Sequence, residues 1–416
     1  MLAFAAAFAS LLACPVSAQS TEPLLQQSNL TYVGAFRVPQ GSSDTTTFNY
    51  GGTALTYNPA NNSLYMVGHD WHQLSAEISI PAIVNSTNIA SLVTATILQP
   101  FSDATEGKLN TINPGDPNSK KIGGELVYNG KLIVTGYSFY DGTGSQVASH
   151  FVRPLNLSAT GQVQGPFRVG SLYPGFVSAY MTPVPPEWQA PLGGPVLTGN
   201  CCLSITSVQS NGPAVSVFDP GQLGTAGMVA ATPLVGYPYP NILGPGEATQ
   251  NAYFNLSTKI TGVVFPANTR SVLFFGRHGT GPYCYGPGTS DPTQAGKPAD
   301  GGVDVYCYDP ADNSKGTHAY PYAYQVWAYD ANDLLAVRKG AKLMYQVLPY
   351  TVWTFNMPFE NSWDQHLLGG AGYDPQTNQI YLAQRCEDAN CAPIIQVLKV
   401  GGSAAAPLPP SNVQVN

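Results

Sequence analysis

Five stretches of this chain end alike, in a strand-like run followed by a polar residue that differs each time. The endings are Val67-Gly68-His69-Asp70, Thr135-Gly136-Tyr137-Ser138, Thr198-Gly199-Asn200-Cys201, Phe275-Gly276-Arg277-His278 and Ala383-Gln384-Arg385-Cys386. Each follows a glycine-bearing start: Gly51-Gly52, Gly123-Gly124, Gly175, Thr261-Gly262 and Gly369-Gly370. Repetition on this scale belongs to solenoids, propellers and arrays. A shared scaffold with a different polar residue at one structural position implies a ring of side chains around an axis.

The units read as antiparallel strands separated by turns. In the first, 53–57 alternates, 58–62 is a turn rich in Asn and Pro, and 63–67, 76–80 and 93–99 complete four strands. The second, fourth and fifth repeat the scheme. The third, near 176–218, is the least regular. Four consecutive antiparallel strands make one propeller blade. The expected fold is therefore all-β, a single β-propeller over 29–400 with five four-stranded blades, although six or seven also fit. The strand at 30–38 precedes the first blade. It is expected to serve as the outer strand of the last one, closing the ring and removing both edges.

Composition narrows the setting. Charged residues are only 10% of the 416, against about 25% in ordinary soluble domains, which suits an extracellular protein. A net charge of −7 without a basic run excludes nucleic acid as a partner. Residues 1–18 read as a signal peptide, with lipoprotein anchoring through Cys14 as the rival reading. No later stretch is apolar enough to span a membrane. Residues 401–416 form a Pro/Ala-rich linker or tail. Without Cys14, six of the seven cysteines remain, an even number that suits an oxidising compartment. Local pairs are expected: Cys284 with Cys307, Cys386 with Cys391, and Cys201 with Cys202. Five N-x-S/T sequons, at Asn29, Asn61, Asn85, Asn156 and Asn255, are candidate glycosylation sites.

Glycine starts and second-strand ends fall on one face of such a ring. That face collects His69, Asp70, His72, Tyr137, Asn200, Arg277, His278 and Arg385, together with the residues just ahead of the glycine starts: Asn49, Tyr50, Lys120, Lys121, Tyr173, Asp364, Gln365 and His366. His69-Asp70-Trp71-His72 is the densest group: titratable imidazoles beside a carboxylate and a sugar-stacking indole. Arg277 and Arg385 are candidate anion clamps. Glu125, after Gly123-Gly124, could pair with Glu247, Glu360 or Asp364 as a glycosidase carboxylate. Each also has a structural reading, as a turn cap, a core residue or an internal ion pair. No nucleophile elbow, P-loop or dinucleotide fingerprint is present. No zinc spacing occurs. A calcium ion in the central channel is compatible with this layout, but no EF-hand-like loop occurs.

The repeat pattern resembles secreted bacterial and fungal β-propeller proteins. Some polysaccharide lyases are propellers that use His or Tyr for proton transfer and Arg to neutralise a uronate. That resemblance implies catalysis by His69, Tyr137 and His278. Asp70, Trp71, His72, Asn200, Arg277, Arg385, His366 and Glu125 would then bind an acidic polysaccharide. The expectation is a secreted, monomeric carbohydrate-active enzyme, with β-elimination ahead of glycoside hydrolysis. A non-catalytic binding propeller is the third reading and a quinone oxidoreductase a remote fourth.

Overall fold

The computed structural model describes residues 20–225, 227–244, 251–360 and 365–401. The proposed signal segment with Cys14, the tail beyond 401, Glu247 and Asp364 lie outside them.

The described residues are all-β apart from short helical turns and two short α-helices, and most of their strands form five four-stranded antiparallel sheets, with one three-stranded and one two-stranded sheet besides. Sheet I runs Leu55–Asn58, Ser63–Val67, Ser75–Ser79, Ile97–Ser102. Sheet II runs Lys120–Tyr128, Lys131–Ser138, His150–Pro154, Gln164–Phe167. Sheet III runs Met181–Pro183, Val196–Thr198, Val215–Phe218, Ala231–Val235. Sheet IV runs Lys259–Val264, Ser271–Gly279, Tyr322–Asp330, Thr351–Phe355. Sheet V contains Leu368–Asp374, Gln379–Gln384 and Ile394–Val400, and takes its outer strand, Leu30–Arg37, from the other end of the chain. The register runs from Leu30 opposite Val400 to Arg37 opposite Ile394, with one irregularity between Tyr32 and Gly34.

The irregular third unit is a complete sheet. Its first strand begins at Met181, after a short helical turn at Pro174–Phe176 that contains Gly175. Pro and Gly density around 183–195 hides the alternation there, and its strands are only three to five residues long.

Apolar side chains fill the seams between consecutive sheets. Tyr65, Val67, Ile122 and Val134 join I to II; Leu126, Ile133, Met181 and Phe218 join II to III. Leu197, Val217, Phe274 and Trp327 join III to IV, and Leu273, Val326, Ile380 and Leu382 join IV to V. The last seam, V to I, holds Phe36, Leu55, Met66, Tyr381 and Ile395. The first strands of the sheets touch in the same cyclic order, I to II, II to III, III to IV, IV to V and V to I. Glycine permits this crowding. A Cβ on Gly370 would lie 2.1 Å from the Leu55 nitrogen, and one on Gly124 would lie 2.2 Å from the Ala179 carbonyl oxygen.

Sheet IV carries an excursion between its second and third strands. Cys284–Thr289 pairs with Lys315–His318 and with Cys307–Tyr308, and a Cys284–Cys307 disulfide ties its base. Cysteine pairs also form at Cys201–Cys202 and Cys386–Cys391. Among the described residues no helix is long and apolar enough to cross a membrane.

Phe36 is fully buried in the seam between V and I. Phe36→Ala is expected to cost about 3–5 kcal/mol in denaturant titration, the range for emptying an aromatic core position. A loss below about 1 kcal/mol would contradict packing of the N-terminal strand against sheet I.

Candidate functional site

A pocket of about 510 Å³ opens where the second-strand ends of sheets I and V come together. Its walls include Tyr50, His69, Asp70, Trp71, His72 and Arg385. The floor on the sheet V side is Gln365, Leu367 and the Cys386–Cys391 disulfide.

The loop after Ser63–Val67 is wound tightly. The amides of His72 and Gln73 both donate to the His69 carbonyl, each at 3.0 Å, and the His69 amide donates to the Thr47 carbonyl at 2.9 Å. Gln73, at positive φ, locks this loop to sheet II: its Oε1 accepts from the Ile122 amide and its Nε2 donates to the Asp70 carbonyl. The His69 Nδ1 accepts from the Trp71 amide at 3.1 Å, so in the neutral ring the proton sits on Nε2. Burial, and then the neighbouring His72, push the His69 pKa down from 6.5. At neutral pH His69 is therefore an uncharged imidazole. Its ring lies 5.0 Å from that of His72 and 5.4 Å from that of Tyr50. Trp71 is 85% exposed and Tyr50 is 47% exposed. Large aromatic faces left open at a pocket rim suit stacking on a ligand ring.

Asp70 forms an ion pair with Lys121, from the first strand of sheet II. The Lys121 ammonium also lies 5.4 Å from the centre of the Phe139 ring. Arg385 spans the seam: its Nε donates to the Gly51 carbonyl at 3.2 Å and its Nη2 to the Tyr50 carbonyl at 3.1 Å. Tyr137 is half-buried. Burial, reinforced by Asp70 and opposed by Arg385, pushes its pKa well above the ordinary phenol value. It keeps its proton at neutral pH. Asp70, Tyr137 and Arg385 thus share one electrostatic neighbourhood, although they come from sheets I, II and V.

Other candidates lie elsewhere. Arg277 is 2% exposed. Its Nη1 donates to the Gln365 carbonyl at 2.7 Å, and its guanidinium carbon lies 4.0 Å from the centre of the Tyr322 ring. His278 is buried off the pocket, with Nδ1 2.9 Å from the Thr258 hydroxyl, and burial lowers its pKa to about 4. Asn200 is buried; it donates to Ser178 Oγ at 3.1 Å and accepts from the Cys201 amide at 2.7 Å. His366 lies behind the pocket, its ring 4.6 Å from that of Tyr324. Glu125 is 2% exposed and sits between sheets I and II, accepting from Ser75 Oγ, with its second oxygen unpartnered. Burial raises its pKa to about 7, against the opposing effects of Ser75 and Arg153. The alternation that placed Glu125 on an inner strand also turned it into the seam.

Lys121, ion-paired with Asp70, and Lys259, within electrostatic reach of Asp70 and Arg385, lie near the pocket without lining it, and Lys259 was not among the sequence candidates. It precedes the Thr261-Gly262 start by two residues, the place that supplies Asn49, Tyr50, Lys120 and Lys121 in other units. Applying that rule to sheet IV points to Lys259. Among the described residues no three His, Cys, Asp or Glu side chains gather to hold a metal ion.

No family model and no curated protein matches the chain. Solved structures share its general outline at low identity. An exo-1,5-α-L-arabinanase from a bovine ruminal metagenomic library aligns over 86% of this chain and 95% of its own, with TM-score 0.41 and 10% identity. An arabinanase from Bacillus subtilis aligns over 86% and 95%, with TM-score 0.42 and 11% identity. A luciferin-regenerating enzyme aligns over 90% and 95%, with TM-score 0.34 and 8% identity. At these values the likeness does not decide a reaction.

Glu125 gives a direct check on which carboxylates serve the fold. Its folded pKa, about 7, exceeds the ordinary 4.5, so wild-type stability declines as pH rises through that window. Glu125→Gln is expected to gain on wild type in melting temperature from pH 4.5 to 7, with ligand binding at the pocket unchanged. A pH-independent difference, or lost binding in a folded variant, would contradict the structural role.

Proposed function

We propose that the protein is a secreted, monomeric carbohydrate-active enzyme that cleaves a glycosidic bond in this pocket, on a closed five-bladed propeller. The cyclic contacts of the first strands and the seam between sheets V and I support closure. The observation that carries the functional reading is the pocket itself. It presents an open indole, an open phenol, two imidazoles and a carboxylate within one cavity. Aromatic faces stack on sugar rings, and the polar groups hydrogen-bond hydroxyls and assist proton transfer.

Hydrolysis is favoured over elimination. It needs a base or nucleophile and an acid flanking the glycosidic bond; among the described pocket residues Asp70 is the carboxylate and His72 the candidate acid. Elimination was expected to draw on His69, Tyr137 or His278 for proton transfer and on Arg277 and Arg385 as clamps; of these His69 and Arg385 line the pocket, Arg385 held by the carbonyls of Tyr50 and Gly51. Tyr137 stays a phenol, unsuited to take a proton from carbon at neutral pH. His278 is buried against Thr258, and Arg277 is engaged by Gln365 and Tyr322. In the proposed hydrolysis Asp70 takes a proton from the water that attacks the anomeric carbon, His72 gives a proton to the departing glycosidic oxygen and regains one from solvent, Trp71 holds the adjoining sugar, and His69 orients its hydroxyls.

Reducing ends and ultraviolet absorbance, read in parallel on a panel of polysaccharides, test this. Reducing ends should rise without the absorbance of an unsaturated sugar. Asp70→Asn should lower kcat by about 100-fold or more, the usual scale for loss of a general acid or base. Trp71→Ala should mainly raise KM. Absorbance rising with reducing ends would establish elimination. Saccharide binding without any product would leave a binding module.

A further inference from the structure

Lys259 opens the first strand of sheet IV, directly opposite Arg277 on the second. Side chains facing each other in an antiparallel pair lie about 4.5–5.5 Å apart at Cβ, and like charges there repel. Arg277 is fixed by the Gln365 carbonyl and the Tyr322 ring, and a guanidinium keeps its charge at any working pH. Lys259 differs. Its side chain is exposed and has no hydrogen-bond or ion-pair partner among the described residues. Yet it lies within electrostatic reach of Arg277, Arg385, Asp312 and Asp70, contributed by three different sheets and the sheet IV excursion.

The nearby acids are engaged elsewhere. Asp70 pairs with Lys121. The Asp312 carboxylate accepts from the Ser314 amide at 2.9 Å and its hydroxyl at 2.6 Å. Asp309 accepts from the Tyr322 hydroxyl at 2.6 Å and lies 2.8 Å from His318 Nδ1. Among the described residues, Lys259 thus faces the fixed charge of Arg277 with no carboxylate bonded to it. The electrostatics agree: Arg277, opposite it, is the largest influence lowering the Lys259 pKa, to about 8. An anion arriving there would pair with Lys259.

We propose that Lys259, at the edge of the pocket that Arg385 lines, binds an anionic group of the substrate, so that the pocket takes an acidic saccharide bearing a carboxylate or a sulfate. This rests on the saccharide reading above and names its substrate class. A short salt contact to a ligand anion is a charge-assisted hydrogen bond, stronger than its neutral counterpart.

Calorimetric titration of the full chain tests it. The probes are trigalacturonate, its methyl ester, the neutral galactose trimer and a sulfated galactose trimer. Wild type should bind one acidic trimer about 10- to 100-fold tighter than its neutral counterpart, the span for losing a hydrogen bond to a charged group. Preference for trigalacturonate over its ester marks a carboxylate ligand; preference for the sulfated trimer marks a sulfate. Lys259→Met should abolish the preference and leave neutral binding unchanged, without lowering the melting temperature. Lys259→Arg should retain most of it. Equal binding of acidic and neutral trimers by wild type, or an undiminished preference in Lys259→Met, would overturn the inference. Cleavage of neutral glycans that depends on Asp70, without an acid preference, would sink this inference alone. A Lys259-dependent preference without cleavage would sink only the catalytic reading. Failure to bind any of the trimers would overturn both.

Discussion

Close approach of backbone to backbone at the first strands is the constraint on which the rest depends. Where Gly370 faces the Leu55 amide and Gly124 faces the Ala179 carbonyl, no side chain fits. Glycine lets the strands meet at a spacing that any Cβ would forbid. Once they meet in cyclic order, the outer parts of each sheet splay apart. The seams between them must then be filled by large apolar residues, and Phe36, Phe274, Trp327 and Tyr381 do this. The second-strand ends of sheets I and V are carried to a common mouth. There the chain can afford polar and strained loops, because the sheets behind them hold the framework.

The seam between sheets V and I is special because it joins chain segments far apart in sequence. The N-terminal strand pairs with Ile394–Val400, and Arg385 reaches across to the carbonyls of Tyr50 and Gly51. The Tyr50 amide in turn donates to the Cys391 carbonyl at 2.7 Å. The pocket is therefore built on the junction that secures the fold, with a disulfide loop on one wall and the His69–His72 loop on the other.

Much of this was legible from residues. The repeated endings and glycine starts located the sheets, the role of the N-terminal strand, and the His69–His72 and Arg385 groups on one mouth. What failed to be legible was side-chain commitment. Asn200 and Arg277 occupy the right strand ends, but local partners engage them: Ser178 and the Cys201 amide for one, Gln365 and Tyr322 for the other. Glu125 sits one strand position away from the axis and turns into the seam, since alternate residues face opposite sides. Lys259 escaped notice because its strand start, Thr261-Gly262, has a single glycine, which blurs the signal preceding it.

The central claim is that ligand binds where sheets V and I meet. Hydroxyl-radical footprinting of the full chain, with and without a saturating saccharide, tests it most directly. The account predicts protection concentrated at Trp71, Tyr50 and His72, with the exposed Met228 and Tyr239 unchanged. Protection at Met228 or Tyr239, with Trp71 oxidised as fast as in the free protein, would contradict it.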